Sequence, residues 1–180
     1  KNEDFLNFSK EISKINFEML GDLEKIQTSK MNNGTTVKDN LISLISKIGE
    51  KITIRRSKFF DNKNGKNYFY LHSSTEKNIG KIASIVKLSN CDDKEFGQKL
   101  AMHIAASSPL AIDESGIKKE VLNKEREIIK AELINSGKEG DMVEKISKGK
   151  INKFISDNTL LNQIWIMDPK KKVSDILKEK

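Results

Sequence analysis

The chain has 180 residues, enough for one domain of ordinary size or two small lobes. Only 36% of them are hydrophobic and 33% are charged, which implies a large surface for the core available, and no apolar run is long enough to cross a membrane. The formal charge of +7 divides as +3 over residues 1–60, 0 over 61–116 and +4 over 117–180. Almost all of the basic residues are lysines, leaving Arg55, Arg56 and Arg126 for the bidentate contacts on which base readout depends. Nucleic acid is therefore a poor candidate partner, whereas a mildly basic face suits an acidic protein surface. Cys91 is the single cysteine, so no internal disulfide can form and a reducing compartment is expected.

Residues 4–20 place Phe5, Phe8, Ile12, Ile15 and Met19 at alternating steps of three and four, one face of a helix. No continuous apolar segment of a signal peptide occurs there. Residues 21–35 read as a polar connection. Thr36, with Asp39 three positions on, caps a second helix that buries Val37, Leu41, Leu44, Ile45 and Ile48 and stops at Gly49. The period then changes to two: Lys51–Arg55 alternates as a half-buried strand that should reach Phe59 or Phe60. Two more strands are expected at Tyr68–His72 and Lys81–Leu88, joined by a loop over 73–80. In the latter, Ile82, Ser84 and Val86 share one side and Ala83, Ile85 and Lys87 the other.

Asp92 or Asp93 caps a third helix carrying Phe96, Leu100 and Ile104 inward, which Pro109 ends. Charged helices follow at about 117–136 and 142–156. Gly137 fits the left-handed position beyond the first, and Asp141 with Glu144 fits a capping box on the second. So short a connection returns the chain antiparallel. Val121, Ile128, Ile129 and Leu133 against Val143, Ile146, Ile151 and Phe154 supply a two-helix seam, expected to protrude as a helical hairpin. A short helix over 172–180 turns Val173, Ile176 and Leu177 inward.

Catalytic chemistry finds little support. His72 lies at a strand end and His103 within a helix; neither belongs to a zinc-ligand spacing, and His103 reads as structural on a semi-buried face. Glu125 with Glu127, and Asp92 with Asp93, lie among lysines or at a cap, so solvation and capping account for them. No phosphate-loop or dinucleotide fingerprint is present, and Ser107-Ser108-Pro109 is a helix stop. No enzyme and no cofactor is implied. Tyr70 and His72 offer an amphipathic patch at the sheet edge; as residues alone they read first as ordinary strand positions.

One ordered set of motifs goes further. Lys47-Ile48-Gly49-Glu50-Lys51-Ile52-Thr53-Ile54-Arg55-Arg56 is followed by Asn78-Ile79-Gly80-Lys81-Ile82 and Ala101-Met102-His103-Ile104-Ala105-Ala106-Ser107-Ser108-Pro109. Then come Asn123-Lys124-Glu125-Arg126-Glu127, Val143–Lys150 and Asp168-Pro169-Lys170-Lys171. In this order and at these spacings the chain resembles the translation elongation factor Ts family along its whole length. The resemblance implies an α+β fold with small antiparallel sheets packed with helices and a protruding antiparallel two-helix coiled coil. It divides the chain into an incomplete core subdomain at 1–60, a second at 61–116 with 158–180, and the hairpin at 117–157.

It also implies nucleotide exchange on elongation factor Tu by binding, with no covalent step, in a bacterial cytoplasm or the interior of a mitochondrion or plastid. Tyr70-Leu71-His72 resembles the family's Tyr-x-His segment, whose histidine reaches elongation factor Tu, so His72 and Tyr70 are expected at the interface. Lys1-Asn2 resembles the basic residue and Asn that follow the family's Thr-Asp-Phe-Val wedge, which adds Asn2. Asp4-Phe5 is not that wedge, because Phe5 belongs to the first helix stripe. The wedge, an N-terminal helical domain and the last strand and helix are absent from this sequence, so it is expected to be a core fragment or a reduced member. Open strand edges near 51–60 and 81–89 favour a homodimer. The alternative from another class is a basic helical scaffold or RNA-associated adaptor without exchange activity.

Overall fold

The computed structural model describes residues 2–76 and 78–180; Lys1, the basic residue before Asn2, and Lys77, in the expected loop, lie outside them. The chain forms two compact units, Lys1–Asp61 and Asn62–Lys180.

In the first unit, helix α1 (Glu3–Glu18) turns Phe8 and Ile15 into a core shared with Ile26, Met31, Val37 and Leu44. Ile12 and Met19 pack at its edge, while Phe5, at the margin of the stripe, remains 43% exposed. The expected polar connection contains a further helix, α2 (Leu23–Thr28), whose first turn is capped by Asp22 accepting from the Lys25 N–H. Its six residues are too few to show a period, but they bury Ile26 to 1% exposure. Helix α3 (Val37–Ile48) begins at Thr36, whose hydroxyl accepts from the Asp39 N–H at 3.1 Å, and ends at Gly49 with φ of 78°.

The strand expected at 51–60 is not formed. Its residues alternate between half-buried and exposed as foreseen, and Ile52 and Ile54 pack against the first core, but the segment adopts no regular secondary structure. Alternation reports which side chains face a core, whereas a strand also requires a hydrogen-bonded ladder. The segment is instead held by side chains: Asn16 donates to the Lys58 carbonyl at 3.2 Å and Ser57 donates to the Gly21 carbonyl. Gly21 has φ of 80°, and a Cβ there would stand 2.9 Å from the Phe59 nitrogen, so both its conformation and its lack of a side chain are required. No sheet forms in this unit among the described residues, and the strand edge anticipated at 51–60 does not exist.

The second unit is built on one antiparallel pair, β1 (Lys66–Glu76) and β2 (Ile79–Leu88). Both strands run further than their alternation suggested and take up most of the expected loop. Their register pairs Tyr68 with Val86, Tyr70 with Ser84 and His72 with Ile82. Helix α4 (Lys94–Ser107), capped by Asp93, packs on the face bearing Tyr68 and Val86. Tyr68, Leu88, Phe96, Leu100, Leu160, Trp165 and Val173 form the core there. Val173 opens the last helix, α7 (Val173–Lys178).

After a 3₁₀ turn at Glu114–Gly116, α5 (Lys119–Asn135) and α6 (Asp141–Asn158) form the helical hairpin. Gly137 takes the left-handed conformation at φ of 78°. The capping box expected on α6 is absent. The helix starts after Gly140 without a side-chain cap, so Asp141 lies inside the first turn, where its charge suits the helix dipole. Glu144 instead reaches Lys130 across the hairpin at 2.6 Å. The seam also differs from the expected set: Leu122 and Ile155 are buried, while Val121 and Ile128 remain 38% and 43% exposed.

Candidate functional site

Tyr70 and His72 lie two residues apart on β1, so strand geometry places both on one face. Tyr70 is half-buried and His72 exposed. The Tyr70 Oη stands 3.2 Å from His72 Nδ1, with ring centroids 6.1 Å apart and planes inclined by 38°. Ile82, directly across the ladder from His72, is 48% exposed and supplies an apolar neighbour.

The backbone beneath this pair is specialised. Ser73 has φ of 50°, a left-handed conformation uncommon for a residue with a Cβ, and the register shifts between Ser74 and Glu76. Such irregularities re-aim neighbouring side chains. Gly80 faces Ser74, and a Cβ on it would come within 2.8 Å of the His72 carbonyl and 3.3 Å of the Leu71 Cβ. Gly80 thus lets β2 close onto the backbone that carries the imidazole. An isolated glycine inside an alternating strand is the signal that could have disclosed this role. On the other strand, the Ser84 hydroxyl donates to the Ala101 carbonyl and fastens β2 to α4.

Asn2 belongs to the first unit, where its Oδ1 accepts from the Phe5 N–H at 3.1 Å and caps α1. That bond engages the side-chain oxygen in the cap of α1.

His103 is fully buried, rather than semi-buried as its helix face suggested. Its Nε2 lies 3.0 Å from Gln163 Oε1, the Ile166 N–H donates to Nδ1 at 3.4 Å, and its ring stacks on Trp165 at 5.3 Å. The Ile166 contact makes Nδ1 the acceptor, which leaves Nε2–H to donate to Gln163. Burial holds its pKa below that of an exposed imidazole, partly opposed by the Gln163 bond. The neutral ring therefore clamps the segment after α6 onto α4, a structural task.

Asp93 and Asp92 are similarly accounted for. Asp93 receives Lys180 Nζ at 2.6 Å and the Phe96 N–H at 2.9 Å; these bonds, the lysine's first, hold its carboxyl below the usual carboxylate range. Asp92 pairs with Lys66 at 3.0 Å. Among the described residues no group of three or more His, Cys, Asp or Glu is placed to hold a metal ion, and no helix is long and apolar enough to cross a membrane.

The molecule is thus an α+β protein that presents a hydrogen-bonded phenol–imidazole pair on the sheet face that also carries α4, with the imidazole exposed. The family model described as "Elongation factor TS" matches residues 1–180. The elongation factor Ts of Methylococcus capsulatus is 35% identical over 181 residues, covering 100% of this chain and 59% of that protein. Those of Gluconobacter oxydans and Rickettsia felis are 32% and 31% identical, each over 99% of this chain and 61% and 59% of the relative. The chain belongs to the elongation factor Ts family. It spans about three-fifths of the length of these curated relatives.

Proposed function

We propose that this chain is the core of a guanine-nucleotide exchange factor that binds elongation factor Tu and promotes release of GDP. Family membership supports the partner, and the exposed His72, bonded to Tyr70 on a sheet pinned to α4, supports the contact. The mechanism is differential binding. A protein that binds nucleotide-free elongation factor Tu more tightly than the GDP form weakens GDP by the same factor, because linkage is reciprocal. No bond is made or broken in this protein. His72 is the principal contact, Tyr70 its neighbour, and Asn2 a subsidiary contact. The site of action is the compartment that holds elongation factor Tu.

The test follows release of a fluorescent GDP analogue from elongation factor Tu with and without the chain. Acceleration of release, lost or weakened in His72→Ala, is the expected result. Competition with a full-length family member without acceleration would assign binding to this chain and exchange to other parts of the family's longer members. Neither acceleration nor competition would refute the reading and return the basic adaptor to first place. His72→Ala should cost about 1–2 kcal/mol of binding, as for a moderate interface contact.

A further inference from the structure

We infer that Tyr70 is a positioning residue that fixes the tautomer of His72, so that His72 meets its partner as an Nε2–H donor to a carbonyl or carboxylate oxygen. The inference rests on the proposed docking role of His72 and adds the atom, the direction of the hydrogen bond and the chemistry of the acceptor.

The geometry is specific to one ring nitrogen. Tyr70 Oη lies 3.2 Å from Nδ1. A phenol is a better donor than acceptor, so its O–H donates to Nδ1, and the proton of a neutral imidazole must then reside on Nε2. Because Nδ1 faces Tyr70, the Nε2 edge of the ring points away from the tyrosine, and His72 is exposed. The backbone below holds this aim: β1 turns through Ser73 at φ of 50°, and Gly80 admits β2 to within a Cβ's contact of the His72 carbonyl. Ile82 across the ladder is 48% exposed, so an arriving partner that covers it also removes water from beside the Nε2–H. Hydrogen bonds gain strength as their surroundings dry. The acceptor is thus an oxygen flanked by an apolar group, and a lysine or arginine opposite Nε2 would be rejected.

Amide side chains separate the two nitrogens. Glutamine carries its amide near the position of Nε2, asparagine near that of Nδ1. Affinity of the 180-residue chain for elongation factor Tu should fall about three- to tenfold in Tyr70→Phe, the range for one neutral hydrogen bond. His72→Gln should stay within about threefold of wild type, while His72→Asn and His72→Ala should lose about tenfold or more. In the His72→Gln background, Tyr70→Phe should have no further effect, which a merely structural tyrosine would not reproduce. Imidazole ¹⁵N resonances of the free chain should show protonated Nε2 and bare Nδ1, with the two forms mixing in Tyr70→Phe. Trp165 fluorescence and far-UV circular dichroism confirm that each variant is folded.

Protonated Nδ1 in the free chain, or wild-type affinity of Tyr70→Phe, overturns the inference while a weakened His72→Ala leaves the docking role standing. Wild-type affinity of His72→Ala overturns the docking role, and the inference with it.

Discussion

Replacing Gly97 with alanine sets two known effects against each other. Gly97 is buried within α4, facing the sheet. Helix propensity alone favours alanine by about 1 kcal/mol. Yet a Cβ at this position would stand 2.2, 2.4 and 2.6 Å from Cγ, Cδ2 and Cδ1 of Tyr68. Those atoms form the root of the ring, so no rotation of a distant side-chain end can clear them. Either α4 lifts from the sheet or Tyr68, 7% exposed, leaves its place and loses the bond from its hydroxyl to the Cys91 carbonyl. Overpacking costs about 1–3 kcal/mol and the hydrogen bond about 1 kcal/mol, giving a net destabilisation of about 2 kcal/mol after the helix gain.

Gly149 provides the internal control. It lies in α6 with nothing within 4 Å of a prospective Cβ, so Gly149→Ala should stabilise by about 0.5–1 kcal/mol. Urea unfolding monitored by far-UV circular dichroism reads both variants. Trp165, the single tryptophan, shares the core of Tyr68 and reports that core directly. Stabilisation of Gly97→Ala to the same extent as Gly149→Ala would refute the close approach of α4 to β1.

Other consequences are equally direct. Burial depresses the pKa of His103 below the ordinary 6.5, so the unfolded chain takes up a proton first as pH falls. The stability supplied by the neutral ring is complete above about 6.5 and declines below it, until the folded pKa is passed. His103→Asn should be less stable at neutral pH and show a flatter dependence of melting temperature between about pH 7 and 5.5; an unchanged slope would contradict the buried neutral ring. Thr36→Ala should cost about 1 kcal/mol by removing the cap of α3, and Thr36→Ser should restore most of it, as measured by urea unfolding.

The longer helices of this chain were legible because their causes are local, while the α+β class followed from the family resemblance. The stripe of α1, the Thr36 cap, Gly49 and the Asp93 cap each act within a few residues, and the structure contains each of them. Even so, the helix in the connection before α3 is not legible in the sequence, since six residues cannot display a period. Tyr70 and His72 were legible as neighbours on one strand face, but their hydrogen bond was not, because it depends on the side-chain geometry above an irregular backbone.

Local sequence sets where the longer helices run and, in the first unit, which face of each is apolar. Tertiary structure alone decided whether an alternating segment finds a ladder: residues 66–76 and 79–88 found each other, while 51–60 found only a packing face. It also decided that His103 is buried against Gln163, sixty residues away, and Trp165, and that α4 approaches the sheet through Gly97. Propensity and capping are settled among adjacent residues, whereas ladders and burial are settled by partners that only the folded chain brings together.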